Sequence, residues 1–399
     1  MIASLSLIFL FGLLMSGICK RLKLPGIIGM LLTGVILGPF VLNLLDTSIL
    51  TISADLRQIA LIIILIKAGL TLNLSDLKKV GRPAIMMSFV PACFEILAFV
   101  LLAPKILGLT VIESAVMGAV LSAVSPAVVI PRMVNLMEDK YGTEKSIPQL
   151  IMAGASCDDI FVIVLFSTFL GMAQGGSADI MSFVNIPVSI VSGIILGSIV
   201  GIIVYIFFEN AYKSQRYIRN SVKVIVILGI AFMLMSLEKL LENVISISGL
   251  LAVVSMACVI KIKSNPNVTK RLSEKFGKLW LAAEVILFVL VGAAVDIRYT
   301  MDAGLSAVLM ILLALVFRSL GVWLCLIGTS LNLKEKIFCV ISYLPKATVQ
   351  AAIGSVPLAV GLPCGKLVLS VAVLAILITA PLGAIGMDLT YKRMLIKEN

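Results

Sequence analysis

Thirteen apolar runs decide what this chain can fold into. They lie at residues 2–19, 25–42, 55–72, 80–103, 110–136, 147–171, 182–208, 221–238, 245–262, 277–296, 301–329, 335–359 and 362–389. A helix needs about 20 largely apolar residues to cross a bilayer. In lipid every backbone N–H and C=O must find a partner within the protein, and these runs are too long for barrel strands, so helices are the only spanning structure available. Composition agrees: 60% of residues are hydrophobic, 13% are charged and mean hydropathy is +1.16. The expected fold is an all-α polytopic membrane protein of thirteen transmembrane helices. Lys67 and Lys346 interrupt the third and twelfth runs. Met1–Leu14 holds no basic residue, so the first run reads as a retained helix rather than a signal peptide.

Charge placement supports the odd count. With the N-terminus outside, 24 of the 32 basic residues fall in cytoplasmic segments, among them Lys20, Arg21, Lys78, Lys79, Arg132, Lys213, Arg216, Lys261, Lys263, Lys392 and Arg393. Five fall outside (Arg57, Lys105, Lys239, Arg298 and Lys366), and three remain in the membrane (Lys67, Arg318 and Lys346). This is the positive-inside pattern, and an even number of spans would break it. The C-terminus is then cytoplasmic. The net charge of +11 is a membrane signature scattered over short segments, which argues against a nucleic-acid partner. The stretch 263–276 is too short to bind a nucleotide. The seven cysteines sit mostly in apolar runs without metal-ligand spacing and read as buried, inert thiols. Histidine is absent, which leaves proton chemistry to carboxylates and lysines. A compact chain of this kind reads as a bacterial inner-membrane protein surrounded by lipid, with no cofactor.

Two runs carry a proline near their midpoint: Pro126 in the fifth, after Ser122 and Ser125, and Pro345 in the twelfth, before Lys346. Proline removes a donor and frees carbonyls one turn back. Such breaks survive in lipid only where protein or a cavity covers them. The fifth run points inward and the twelfth outward. Runs one to six and eight to thirteen thus form two six-helix halves of opposite orientation, each broken at its fifth helix, with crossed discontinuous helices at the midplane. Inverted-repeat secondary transporters are built this way.

Asp158 and Asp159 stand side by side within the apolar stretch Pro148–Leu170. An intramembrane acid is costly and marks an ion or proton path. The pair falls roughly 17 Å into the sixth run at about 1.5 Å per residue, near mid-membrane. Neighbours on a helix point about 100° apart, so register alone leaves open which one holds the ion. With Ser122, Ser125 and carbonyls freed by the break, a carboxylate here replaces the water shell of Na⁺ or Li⁺. Proton and ion then compete for one site, and transport should fall at low pH. The remaining intramembrane charges pair as Glu95 with Arg318 and Glu284 with Lys346. Lys346 also stands where it can offset the carbonyl end of its half-helix. Lys67 can snorkel to the cytoplasmic surface.

Four stretches, Leu24–Pro39, Ala119–Val129, Gly154–Ile160 and Leu344–Gly354, make the chain resemble the cation/proton antiporter superfamily, in its double-aspartate sodium/proton branch. The resemblance implies that Asp159 binds the ion. It implies that aspartate at Asp158 marks an electrogenic exchanger of Na⁺ (or Li⁺) moving about two protons per ion. Arg318 matches a family lysine that pairs with the first aspartate. Arginine stays protonated, so it is no proton carrier. Glu95 holding Arg318 would leave Asp158 free to titrate. The resemblance further implies an elevator, with mobile core helices in 79–172 and 300–399, scaffold helices in 1–78 and 221–299, a linker helix in 173–220, and a homodimer formed by the scaffold. The competing readings are a K⁺/H⁺ antiporter, which the paired acids and lack of a nucleotide domain disfavour, and a Na⁺-coupled organic anion symporter. No catalytic triad is present to support an enzyme.

Overall fold

The computed structural model describes residues 1–71, 81–175, 180–215, 218–241, 247–296 and 304–398. Lys78, Lys79, Arg216 and Arg298, used in the charge placement, lie outside the described residues, as does the side chain of Lys239. The protein is all-α. In chain order the helices are α1 (Ile2–Arg21), α2 (Gly26–Leu37), α3 (Thr47–Thr51), α4 (Ser53–Thr71), α5 (Arg82–Met87), α6 (Val90–Ile106), α7 (Val111–Ser122), α8 (Pro126–Glu138) and α9 (Ile147–Gln174). They continue as α10 (Ile180–Lys213), α11 (Asn220–Leu241), α12 (Gly249–Lys263), α13 (Pro266–Ala293), α14 (Gly304–Cys325), α15 (Leu333–Ser342), α16 (Thr348–Gly354), α17 (Val356–Ala359) and α18 (Gly365–Met394). Every apolar run contains helix. Among the described residues, nine helical segments are long and apolar enough to cross a membrane.

Three runs differ from expectation for local reasons. The second run ends as helix at Leu37 rather than residue 42, because Gly38 turns extended (ψ 172°) and Pro39 lacks an N–H to continue the ladder. The fourth run is split into α5 and α6 by a turn at Ser88–Phe89, with Pro91 in the first turn of α6. The tenth begins well before residue 277: Asn265 Oδ1 accepts the Asn267 N–H, and Pro266 occupies the first helical position, where its missing donor costs nothing. Other helix starts follow the sequence directly. Thr110 with Glu113 and Asn332 with Glu335 form capping boxes at the heads of α7 and α15, the outer ends of the two broken helices.

The chain divides into two compact units. One comprises the described residues within Met1–Arg57, Asn73–Val162 and Val285–Asn399. The other comprises those within Gln58–Leu72 and Ile163–Glu284. In the second unit Gly193, Gly197 and Gly201 recur every four residues along α10 and meet the backbone of α12 at Ser248, Ala252 and Met256. A side chain at any of them would force these helices apart, the small-residue packing that membrane helices use in place of a hydrophobic drive. In this unit Lys67 lies 5.9 Å from the Trp280 ring centroid and within electrostatic reach of Glu284. The cysteines correct one expectation. Cys19, Cys325, Cys339 and Cys364 are buried, but Cys93 is exposed on the outer face of α6.

Candidate functional site

The first unit holds both breaks and both aspartates. After Ser122 the chain leaves the helix, with Ala123 (φ −72°, ψ 142°) and Ser125 (φ −89°, ψ 108°) extended, and resumes at Pro126. After Ser342 it stays non-helical through Ala347. The two extended peptides meet: Ser125 N–H donates to the Pro345 carbonyl at 2.8 Å. Each break thus supplies one of the other's missing backbone partners. The Pro345 ring packs on Gly383 of α18, and Lys346 N–H donates to Thr379 Oγ1 one turn away at 3.0 Å. A methyl group at Gly383 would overlap that ring. Gly383→Ala is therefore expected to cost about 1–3 kcal/mol by overpacking and to slow transport by displacing the crossing. Unchanged melting temperature and transport in the variant would show that the crossing has room to shift.

Breaking a helix strands its last carbonyls. At the end of α7 they are taken by side chains from elsewhere. Lys346 Nζ donates to Leu121 O, Arg318 to Ser122 O, and Gln350 Nε2 to Ala123 O at 2.7 Å. At the end of α15, Arg318 Nε donates to Tyr343 O at 2.6 Å. One guanidinium therefore ties both half-helix ends together, and a cation at each negative helix end is electrostatically favourable. These freed carbonyls, expected among the ion ligands, each already accept a side-chain donor. Ser122 Oγ is likewise engaged, donating to Ala119 O at 3.1 Å.

The two cations share two acids. Glu95 of α6 meets Arg318 at 2.9 Å and Lys346 at 2.6 Å. Asp158 Oδ2 meets Arg318 at 3.3 Å and accepts the Val124 N–H, in the first break, at 2.7 Å. All four residues are at most 1% exposed. The expected pairing of Glu95 with Arg318 holds. The pairing of Lys346 with Glu284 is corrected, because Glu95 is long enough to present one oxygen to each cation; Glu284 belongs to the other unit. Asp158 is not left to itself by the Glu95–Arg318 pair, as the same guanidinium reaches it.

Asp158 Oδ1, Asp159 Oδ1, Ser125 Oγ and Tyr343 Oη are among the buried oxygens without a hydrogen-bond partner among the described residues. Asp159 is 8% exposed and makes no ion pair among those residues. Glu95 and Asp158 balance Arg318 and Lys346, so Asp159 is the surplus charge. Burying it requires a proton or a cation. Tyr343, fully buried, packs its ring 5.6 Å from the Arg318 guanidinium and rests its hydroxyl against Gly154, one helical turn before Asp158. Tyr343, Gln350, Thr379, Val124 and Gly383 were not singled out from sequence. Gln350 alone had a signal, lying in the polar stretch that follows Pro345.

Residues 5–390 match the sequence profile of the family described as sodium/hydrogen exchanger, transmembrane. The chain is 34% identical over 384 residues to sodium/hydrogen exchanger 9B2 of Homo sapiens, covering 94% of this chain and 70% of that protein. Against sodium/hydrogen exchanger 9B2 of Xenopus tropicalis it is 34% identical over 360 residues, covering 87% of this chain and 65% of that protein. Its fold is similar to that of the sodium proton antiporter MjNhaP1 from Methanocaldococcus jannaschii, with a TM-score of 0.83 at 23% identity, covering 98% of each chain.

Proposed function

We propose, from the premise that this chain belongs to the transmembrane sodium/hydrogen exchanger family, that it exchanges Na⁺ (or Li⁺) for protons electrogenically at the Asp158–Asp159 site. Family membership makes it a secondary Na⁺/H⁺ antiporter, a transporter rather than an enzyme. The observation that carries the site is the surplus acid: Asp159 makes no ion pair among the described residues, and Asp158 Oδ1 and Ser125 Oγ also lack hydrogen-bond partners there. Na⁺ held by these oxygens, or a proton on the acid, neutralises it equally well, and the two exclude each other. An empty site leaves a buried charge, which disfavours crossing without cargo. Asp158 supplies the second proton: Arg318 keeps Glu95 at 2.9 Å when Asp158 protonates, so the guanidinium never stands alone.

The finer architecture belongs to the same proposal. Thirteen spans place the N-terminus outside and the C-terminus in the cytoplasm of a bacterial inner membrane. The basic last turns of α1 (Lys20, Arg21), α12 (Lys261, Lys263) and α18 (Lys392, Arg393) support that orientation. The crossed breaks support two inverted repeats, with helices of 79–172 and 300–399 moving as an elevator core against a scaffold. Exposed Leu10, Phe11, Leu13 and Leu14 on α1 offer an apolar face to lipid and to a second copy in a homodimer.

A second reading rests on the Arg318–Asp158 contact at 3.3 Å. If that pair holds throughout the cycle, only Asp159 titrates and exchange is one for one. Na⁺-driven proton efflux from proteoliposomes, with membrane potential clamped at zero and then reversed, separates the two. We expect the rate to follow the potential. A rate indifferent to potential would overturn the electrogenic reading and leave Asp158 as a fixed partner of Arg318.

A further inference from the structure

Arg57 sits in the first turns of α4 and is only 5% exposed, yet its Nε and Nη1 are buried and meet no acceptor among the described residues. A guanidinium does not escape burial by losing its proton. It needs an anion. The side chain lines a cavity of about 360 Å³ within the first unit. The other polar residues of its wall are Ser53, Lys366, Ser370 and Asp296, and the rest is apolar. Asp296 already has a partner of its own. Lys366 is exposed at the rim, as the second residue of α18, and Ser370 follows one turn on. The positive end of that thirty-residue helix therefore adds to the two basic side chains. The cavity lies where α2 and α13 end and α18 begins, at one end of these helices rather than at the crossing. A net positive site is a poor conduit for Na⁺, so it is not part of the cation route. It has the chemistry of an oxyanion site: a guanidinium that forks onto two oxygens, an ammonium, two hydroxyls and an apolar wall.

We propose that this cavity binds a phosphate group, with Arg57 as its buried anchor and Lys366 at its mouth. The volume exceeds that of phosphate alone, and the apolar wall accommodates a glycerol or acyl portion, so both an anionic lipid headgroup and free phosphate can supply the group. The inference does not depend on the ion site, and its readout is binding, so transport can fail or survive independently. The experiment is thermal unfolding of the purified full chain in phosphatidylcholine vesicles, in the same vesicles with inorganic phosphate against chloride at matched ionic strength, and in vesicles doped with phosphatidylglycerol. Saturating the site should raise the wild-type melting temperature by about 5 °C. A rise with phosphatidylglycerol only identifies the headgroup, and a rise with inorganic phosphate identifies the free anion. Arg57→Gln should abolish the response, and Lys366→Gln, at the exposed rim where folding is safe, should weaken it. No rise in the wild type, or an equal rise in Lys366→Gln and in Arg57→Gln where that variant folds, would overturn the site.

Discussion

Asp159→Asn should abolish Na⁺-driven proton movement, by at least ~100-fold, or about 2.7 kcal/mol of lost barrier lowering, while leaving the protein as stable as the wild type or more so. The two halves of this expectation have one cause. Among the buried charges at the crossing, Glu95 and Asp158 are each within salt-bridge distance of a cation, and Asp159 is not. Asparagine keeps the shape and removes a buried carboxylate that makes no ion pair among the described residues, so folding loses nothing. The same change removes the need for either cargo ion. Na⁺ should also stop raising the melting temperature, because a ligand stabilises only the state that binds it. In the wild type, lowering the pH should raise the Na⁺ concentration needed for half-maximal rate and leave the maximal rate unchanged, since proton and Na⁺ compete for one carboxylate. Transport assays and melting curves on the same preparation decide it. Residual exchange in the variant, or a Na⁺-dependent melting shift that persists, would place the ion on Asp158 instead.

The parts of this design written as runs and interruptions were legible in the sequence. Apolar length marks the helices, and a proline with polar neighbours marks a break, so both crossed segments stood out. The acid pair stood out because nothing else in an apolar helix explains it. What stayed hidden is pairing across long separations. Nothing in the order of residues says that Lys346 turns to Glu95, 251 positions away, rather than to Glu284, since both acids have the same chemistry and a similar depth. Nor does it say that the carbonyls freed by one break will be taken by side chains of the other, as Lys346 and Gln350 do for Leu121 and Ala123. Gly383 is invisible for a related reason. Its role is to be absent beneath the Pro345 ring, and an absence leaves no motif.

Glu95→Gln should be the most destabilising single change near the site, by about 3–5 kcal/mol, though Glu95 binds no cargo. Glu95 is the one acid that faces both buried cations, with Oε2 on Arg318 at 2.9 Å and Oε1 on Lys346 at 2.6 Å. Gln removes that charge and leaves Asp158, on Arg318, as the one acid within salt-bridge distance of either cation among the described residues. Lys346 suffers most, as Glu95 is its only ion-pair partner among the described residues. Its ammonium would keep the Leu121 carbonyl, which is a dipole and not a counter-ion. The remedy is to remove the stranded cation as well. In Glu95→Gln/Lys346→Met the remaining ion pair is Arg318 with Asp158, Asp159 stays the surplus acid as in the wild type, and Gln350 Nε2 still stands 3.5 Å from the Leu121 carbonyl. The double variant should therefore recover most of the stability lost in Glu95→Gln, giving a coupling energy of the sign that distinguishes a charge pair from independent packing. Melting temperatures of the wild type, both single variants and the double variant complete the cycle. Additive losses would mean that Glu95 and Lys346 contribute separately, and that the pairing across the breaks is geometry without energetic weight.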